Sequence, residues 1–338
     1  MELVTGQFSQ DQWTEIVSSF SDLSLVQTWE YGEAKAQTGP WRVERAVFMN
    51  GDQLAGACQL MIRSIPYIGR GLVWINRGPL WQRQEELDVS ILVSMFKELR
   101  RYLVDDRRMY LRIAPPVQQE KVRIELFAQH GYALVDGTES WASARLDLSL
   151  PIEKLRGNLE QKWRNCLNKA ERLELMCEFG TNDHIYREVL DEYDEMLRER
   201  DLKVSAPPHL LNQLQSYLTE DRKLLGLIAR QGGKRLGGIL IARYGNTCEY
   251  IVGAFNEAGR KANAGNLLLW RAISQMKDLG YKWFDLGGMH PVSTPKGIFH
   301  FKSGVGGSPY ELFGELESYH DGLLNRLIRW RIRRERKI

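Results

Sequence analysis

Gly233-Lys234-Arg235-Leu236-Gly237-Gly238 repeats the outline of Gly51-Asp52-Gln53-Leu54-Ala55-Gly56, at an offset of 182 in a chain of 338 residues. Both stretches sit between apolar, strand-like runs. Asn50-Gly51 is a strong two-residue hairpin signal, because both central residues of such a turn need positive φ. Gly232-Gly233 reads the same way. A strand is expected over Val43–Met49 with its return over Gln53–Ile62. Further on, Leu224–Arg230 is expected to pair with Leu236–Arg243. One six-residue match can arise by chance, so the surrounding order of elements decides.

That order repeats. After the first hairpin come a strand at Leu72–Ile75 and a helix over Glu85–Val104. Ile91, Leu92, Met95, Phe96 and Leu99 fall on one apolar face of that helix. A buried strand at Tyr110–Ile113 follows, stopped by Pro115-Pro116. After the second hairpin come a strand at Glu249–Gly253, a helix at Asn266–Leu279 and a short strand at Trp283–Leu286. Helices are also expected over Asp11–Phe20, Pro151–Leu173 and His184–Arg200. A repeat near half the chain length means two similar domains rather than a solenoid. The plan is α+β, with mixed and mostly antiparallel sheets. The expected domains are 1–150 and 151–319, followed by a helix over 320–338.

Composition narrows the function. Charged residues are 26% of the chain and hydrophobic ones 43%, which suits a globular protein. A net charge of +3 makes any contact with a polyanion a matter of local patches. The N-terminus does not read as a signal peptide, and no apolar run reaches the ~20 residues that span a bilayer. Cys58, Cys166, Cys177 and Cys248 lie far apart, so neither disulfides nor a zinc site is expected, and the expected compartment is a reducing cytoplasm. Dinucleotide, P-loop and nucleophile-elbow motifs are missing. No cofactor or metal is expected.

Four segments resemble the Fem-type peptidyltransferases of the GNAT-like superfamily. They are Gln27-Thr28-Trp29-Glu30-Tyr31-Gly32-Glu33-Ala34-Lys35; Lys162 through Arg172; Tyr193 through Arg200-Asp201; and the series Gly237-Gly238-Ile239, Tyr250 to Gly253, Leu267-Leu268-Leu269-Trp270, Phe284-Asp285-Leu286-Gly287-Gly288 and Gly297 to Gly307. The last, D-L-G-G followed by G-I-x-x-F-K-x-G-x-G-G, is the most specific. The resemblance implies two tandem GNAT-like domains. It also implies amide-bond formation with aminoacyl-tRNA as co-substrate and an amino group of a peptidoglycan precursor as acceptor.

On that resemblance Lys302 is the first candidate for a catalytic residue, stabilising the oxyanion or holding the tRNA terminal phosphate. A surface lysine before a loop is the plain alternative. Lys35 and Arg200 suit phosphate or carboxylate groups of the precursor, though a helix C-terminal lysine and an exposed helix arginine read equally well. Trp29 and Tyr250 complete the substrate-binding set; a tyrosine at such a strand position is more often core. Family members carry Asp after the first-domain buried strand, where this chain has Ala114. Asp285 is the alternative base, with a turn-forming aspartate as its plain reading.

Two other functions stay open. Arg260-Lys261-Ala262-Asn263-Ala264-Gly265 is a degraded form of the CoA pyrophosphate loop, with Asn263 where Gly is wanted, so acyl-CoA is the alternative donor. A non-catalytic binding module is the third reading. The basic, apolar-striped stretch Asp321–Ile338 suits peripheral contact with the inner face of a membrane, or tRNA phosphate.

Overall fold

The computed structural model describes residues 1–83, 88–202 and 204–335. They form two compact units: Met1–Trp141 with Glu311–Ile338, and Ala142–Tyr310.

The first unit holds β1 (Glu2–Gly6), β2 (Arg42–Asn50), β3 (Gln53–Ser64), β4 (Gly71–Asn76), β5 (Tyr110–Ala114) and β6 (Ala133–Leu134). β14 (Leu316–Ser318) reaches it from the end of the chain. Its helices are α1 (Gln10–Ser18), α2 (Trp29–Thr38), α3 (Val89–Leu99), α4 (Glu125–Ala128) and α12 (Leu323–Glu335). The second unit holds β7 (Ala142–Asp147), β8 (Met176–Gly180), β9 (Leu225–Gln231), β10 (Lys234–Tyr244), β11 (Thr247–Phe255), β12 (Trp283–Asp285) and β13 (Ser308–Glu311). Its helices are α5 (Ile152–Asn158), α6 (Gln161–Arg172), α7 (Asp183–Arg200), α8 (Pro208–Tyr217), α9 (Glu257–Lys261), α10 (Ala264–Asp278) and α11 (Lys296–Ser303).

The sheets share one topology. The orders are β1-β2-β3-β4-β5-β14-β6 and β8-β9-β10-β11-β12-β7-β13. In each, one central pair is parallel, β4 with β5 and β11 with β12. The duplication is thus borne out, with its offset corrected. Asn50 pairs with Gln53 and Gln231 with Lys234, a difference of 181. Ala55 and Leu236, also 181 apart, are the residues skipped in the two registers. The first turn is therefore Gly51-Asp52, with positive φ at Gly51, rather than Asn50-Gly51.

Helices cover the sheets as their apolar spacing requires. Leu92, Met95, Phe96 and Leu99 of α3 pack with Phe48, Cys58, Leu60 and Ile62. Leu268, Leu269, Ile273 and Met276 of α10 pack with Leu227, Ile239 and Ile241. The expected helix over Glu85–Val104 is α3, continued by a π-helical turn over Arg100–Asp106; its start at Glu85–Leu87 lies outside the described residues. The helical stretch Pro151–Leu173 breaks in two, with Leu159 and Glu160 extended between α5 and α6.

Strand pairing divides the chain differently from the expected 1–150 and 151–319. β7 precedes the expected boundary yet pairs with β12 in the second sheet. β14 falls in the expected second domain yet pairs with β5 and β6 in the first. α12 belongs to the first unit with it, and residues 336–338 lie outside the described residues. The exchange escapes local periodicity because β14 has three residues and β7 six, too few to mark a partner.

Candidate active site

In the second unit, β12 stops at Asp285, paired with Glu249, whereas β11 runs on to Phe255. β11 also skips Ile251 in its register with β10. This bulge breaks the strand's alternation and lays Tyr250 over Gly253, where a Cβ would meet the tyrosine hydroxyl at 1.7 Å. Burial pushes the Tyr250 phenol pKa up.

Lys302 lies in the last turn of α11 with only 7% of its surface exposed. Its Nζ donates to the Gly288 carbonyl at 2.9 Å and lies 5.3 Å from the Tyr250 ring centroid. Burial pushes its pKa from 10.5 down to about 8, against the opposing pull of Asp285 and Glu249. Gly287 makes room for this approach. It has φ of 69°, and a Cβ there would stand 3.4 Å from Nζ and 2.5 Å from the Tyr250 carbonyl oxygen.

Asp285 is 1% exposed, and both of its oxygens are engaged. Oδ1 accepts from Ser143 Oγ at 2.6 Å and from the Gly287 amide at 2.9 Å. Oδ2 accepts from the Tyr310 hydroxyl at 2.6 Å, with Arg145 Nε at 3.5 Å. A carboxylate held this way anchors the turn after β12 and sets the field at Lys302; the geometry favours positioning over proton uptake. Beside it, buried Glu249 accepts from the Tyr244 hydroxyl at 2.6 Å.

The glycines after Lys302 face the protein itself. A Cβ on Gly304 would meet the Trp163 ring at 2.8 Å, and one on Gly306 the Asn158 carbonyl at 2.3 Å. Trp163 Nε1 donates to the Phe301 carbonyl at 2.9 Å, and the Glu160 amide to the Gly304 carbonyl at 2.9 Å. The start of α6 and the end of α11 thus lock together, which accounts for Trp163 and the glycines without a ligand.

The other candidates stand on other elements, Arg200 at the end of α7 in the second unit and Lys35 and Trp29 on α2 in the first. Exposed Arg200 lines a cleft of ≈ 380 Å³ with Glu192, Glu195, Glu199, Glu257 and Arg260. In the first unit, Lys35 borders a ≈ 30 Å³ cavity with Tyr31, Trp41, Trp74, Gln59 and Asn76. Burial lowers the Lys35 pKa. Gln27 ties this floor together: its Nε2 donates to the Asn76 carbonyl at 2.7 Å and its Oε1 accepts from the Gln59 amide at 2.8 Å. Trp29 does not line the cavity; the Arg45 guanidinium lies 5.3 Å from its ring centroid. Ala114 ends β5 opposite Asn76, at the sheet position that Asp285 holds opposite Glu249.

Residues 153–303 match a family model described as an Acetyltransferase (GNAT) domain. Among solved structures, one described as FemX is 16% identical, covers 97% of this chain and 100% of its own, and superposes with a TM-score of 0.77. The chain has a tandem GNAT fold of the Fem type. The C-terminal DUF2156 domain of a putative lysylphosphatidylglycerol synthetase from Agrobacterium fabrum is similar in fold at 15% identity. It covers 94% of this chain and 95% of its own, with a TM-score of 0.55. A tandem GNAT protein from the clavulanic acid biosynthesis pathway gives 12% identity, 94% and 98% coverage and a TM-score of 0.53. No curated protein matches in sequence.

Within the Fem-type fold, the second unit gathers Lys302, Asp285 and Tyr250 from the sequence expectation. Five residues around them went unread: Ser143, Arg145, Tyr310, Tyr244 and Glu249. Ser143 and Arg145 stand on β7, which the sequence assigns to the other domain. Tyr310 follows the glycine-rich turn, where only its spacing from Lys302 would have drawn notice.

Proposed function

We propose that the chain is an aminoacyltransferase, forming an amide bond from aminoacyl-tRNA to an amino group of a peptidoglycan precursor or similar acceptor. The observation that carries this reading is the buried Lys302, whose Nζ sits at the fork of β11 and β12 between the Gly288 carbonyl and the Tyr250 ring. The FemX and lysylphosphatidylglycerol synthetase likenesses support it through the fold and through the names of those proteins, which add a lipid acceptor to the range.

The chemistry asks little of a protein base. The acceptor amine attacks the ester carbonyl carbon, a C–N bond forms, and the bond from the acyl carbon to the tRNA ribose oxygen breaks. Negative charge grows on the carbonyl oxygen meanwhile. Lys302, still mostly charged at pH 7 with its pKa lowered to about 8, donates to that oxygen from a buried site where such a bond is strong. The proton shed by the amine passes to the departing ribose oxygen. Asp285 holds the Gly287-Gly288 turn in place, and Lys35 and Arg200 are the cations proposed to hold precursor phosphate or carboxylate.

One observation favours acyl-CoA as a second reading. Asn263, which stands where the CoA motif wants glycine, has φ of 55°, a left-handed conformation that glycine adopts freely. A mass-spectrometric screen offering charged tRNA pools and acyl-CoAs with candidate amines separates the two. Aminoacyl products dependent on tRNA are expected. Micromolar CoA binding by titration calorimetry, with acyl transfer to an amine, would reverse the order. Binding of either donor with no product would leave a binding module.

A further inference from the structure

α12 is amphipathic twice over. Its inner side, Leu324, Asn325, Ile328 and Arg329, is buried or half-buried on the first unit. Arg329 pairs with the buried Glu317 carboxylate, and Asn325 Nδ2 donates to the His320 carbonyl at 2.8 Å. The outward stripe is also apolar: Leu323 is 87% exposed, Leu327 58% and Trp330 53%, at i, i+4 and i+7 spacing. Exposed Arg326 and Arg331 flank it; Arg326 pairs with Asp321 at 3.0 Å.

A second apolar projection stands at the same end of the same sheet. The β3–β4 connection carries fully exposed Tyr67 and more than half-exposed Ile68, with exposed Arg70 beside them. Leu72 of β4 pairs with Tyr110 of β5, and Ser318 of β14 with Leu111. β4 and β14 flank β5, so the connection enters and the chain toward α12 leaves at one edge, roughly two strand spacings or 10 Å apart. Exposed Arg108, just before β5, lies at this end too.

We propose that this end of the first unit docks on an anionic phospholipid bilayer, with Tyr67, Ile68, Leu327 and Trp330 entering the headgroup boundary and the arginines facing lipid phosphate. Charge complementarity selects the occupant. Exposed Arg70, Arg108, Arg326 and Arg331 accompany the apolar side chains, and shallow apolar insertion beside basic residues is how interfacial helices hold anionic lipid. Each basic residue near such a surface raises partitioning on the order of fivefold. No helix among the described residues is long and apolar enough to cross a membrane, so the contact is peripheral. The inference does not depend on the identity of donor or acceptor.

The test is co-sedimentation of the full chain with vesicles of phosphatidylcholine alone and of phosphatidylcholine with phosphatidylglycerol. Binding is expected to the mixed vesicles only and to weaken as salt is added. The double variants Tyr67→Ser/Ile68→Ser and Leu327→Ser/Trp330→Ser are each expected to lower partitioning by about tenfold or more, with unchanged thermal midpoints. The first pair lies in an exposed connection and keeps the test valid if the second disturbs α12. A chain that ignores both vesicle types overturns the proposal, as does binding that neither double variant weakens. Loss of tRNA binding in the variants without any vesicle binding overturns it in favour of a nucleic-acid face.

Discussion

Burial lowers the Lys302 pKa from 10.5 to about 8, so between those values the folded chain holds fewer protons than the unfolded one. Stability therefore rises with pH across that window. Below pH 8 the full cost of burying the charge is present. Lys302→Met is accordingly expected to stabilise the chain at pH 7 by about 1–3 kcal/mol. Its advantage should shrink as urea melts are repeated from pH 8 to pH 10.5. A variant less stable than the parent at pH 7 would contradict the reading. Activity should move the other way. Lys302→Ala is expected to lower kcat by about 10²–10³-fold, with the fold intact. If the charged form acts, kcat falls as pH rises through about 8, and Lys302→Arg moves that descending limb upward. A pH–rate profile unchanged by the arginine would place the working charge elsewhere.

Gly287 and Trp163 show how elements hold this lysine. In Gly287→Ala, a new methyl would press on the Tyr250 carbonyl oxygen at 2.5 Å in a backbone with φ of 69°. The cost should exceed the ~1 kcal/mol of the left-handed conformation alone, read as a lower melting midpoint together with lower kcat. Trp163→Ala removes the ring that fills the space over Gly304 and the donor to Phe301, at an expected cost of about 3–5 kcal/mol. Its KM for the acceptor should change less than its kcat, since it acts by placing α11. These elements were partly legible in the sequence. Strong alternation and glycine turns marked the two hairpins, and apolar spacing marked the helices that cover them. α11 is not legible in the sequence, because a short helix opening on Pro295 and Gly297 lacks a long periodic face. The role of the glycines from Gly304 to Gly307 is not legible either, since a glycine yields the same letter whether a substrate or a tryptophan comes close.

Repetition of element order was enough to expose two similar sheets, because the repeated hairpins and central strands are contiguous in sequence. The exchanged strands were not legible, since pairing between β14 and β5 joins residues some 200 apart and leaves no local pattern. That exchange makes a prediction about which pieces of the chain can fold. All of β7 to β12 and all of β13 but Glu311 fall within Ala142–Tyr310, so this segment is expected to fold alone with a cooperative melt. Residues 1–150 should not. Without β14, β5 becomes an open edge and β6, which pairs only with β14 among the described strands, has no partner. Tyr110 loses the Glu317 carboxylate it donates to, and buried Arg112 loses Glu315. An unmatched buried arginine is strongly destabilising. The fragment also carries β7, whose place is in the other sheet and which would hang free as a pairing edge. Expression of 1–150 should therefore give aggregate or a non-cooperative melt, while a chain joining 1–141 to 311–338 through a flexible linker should recover a cooperative transition. Cooperative folding of 1–150 as a monomer would show that β14 is dispensable and that the exchange does not set the stability of the first unit.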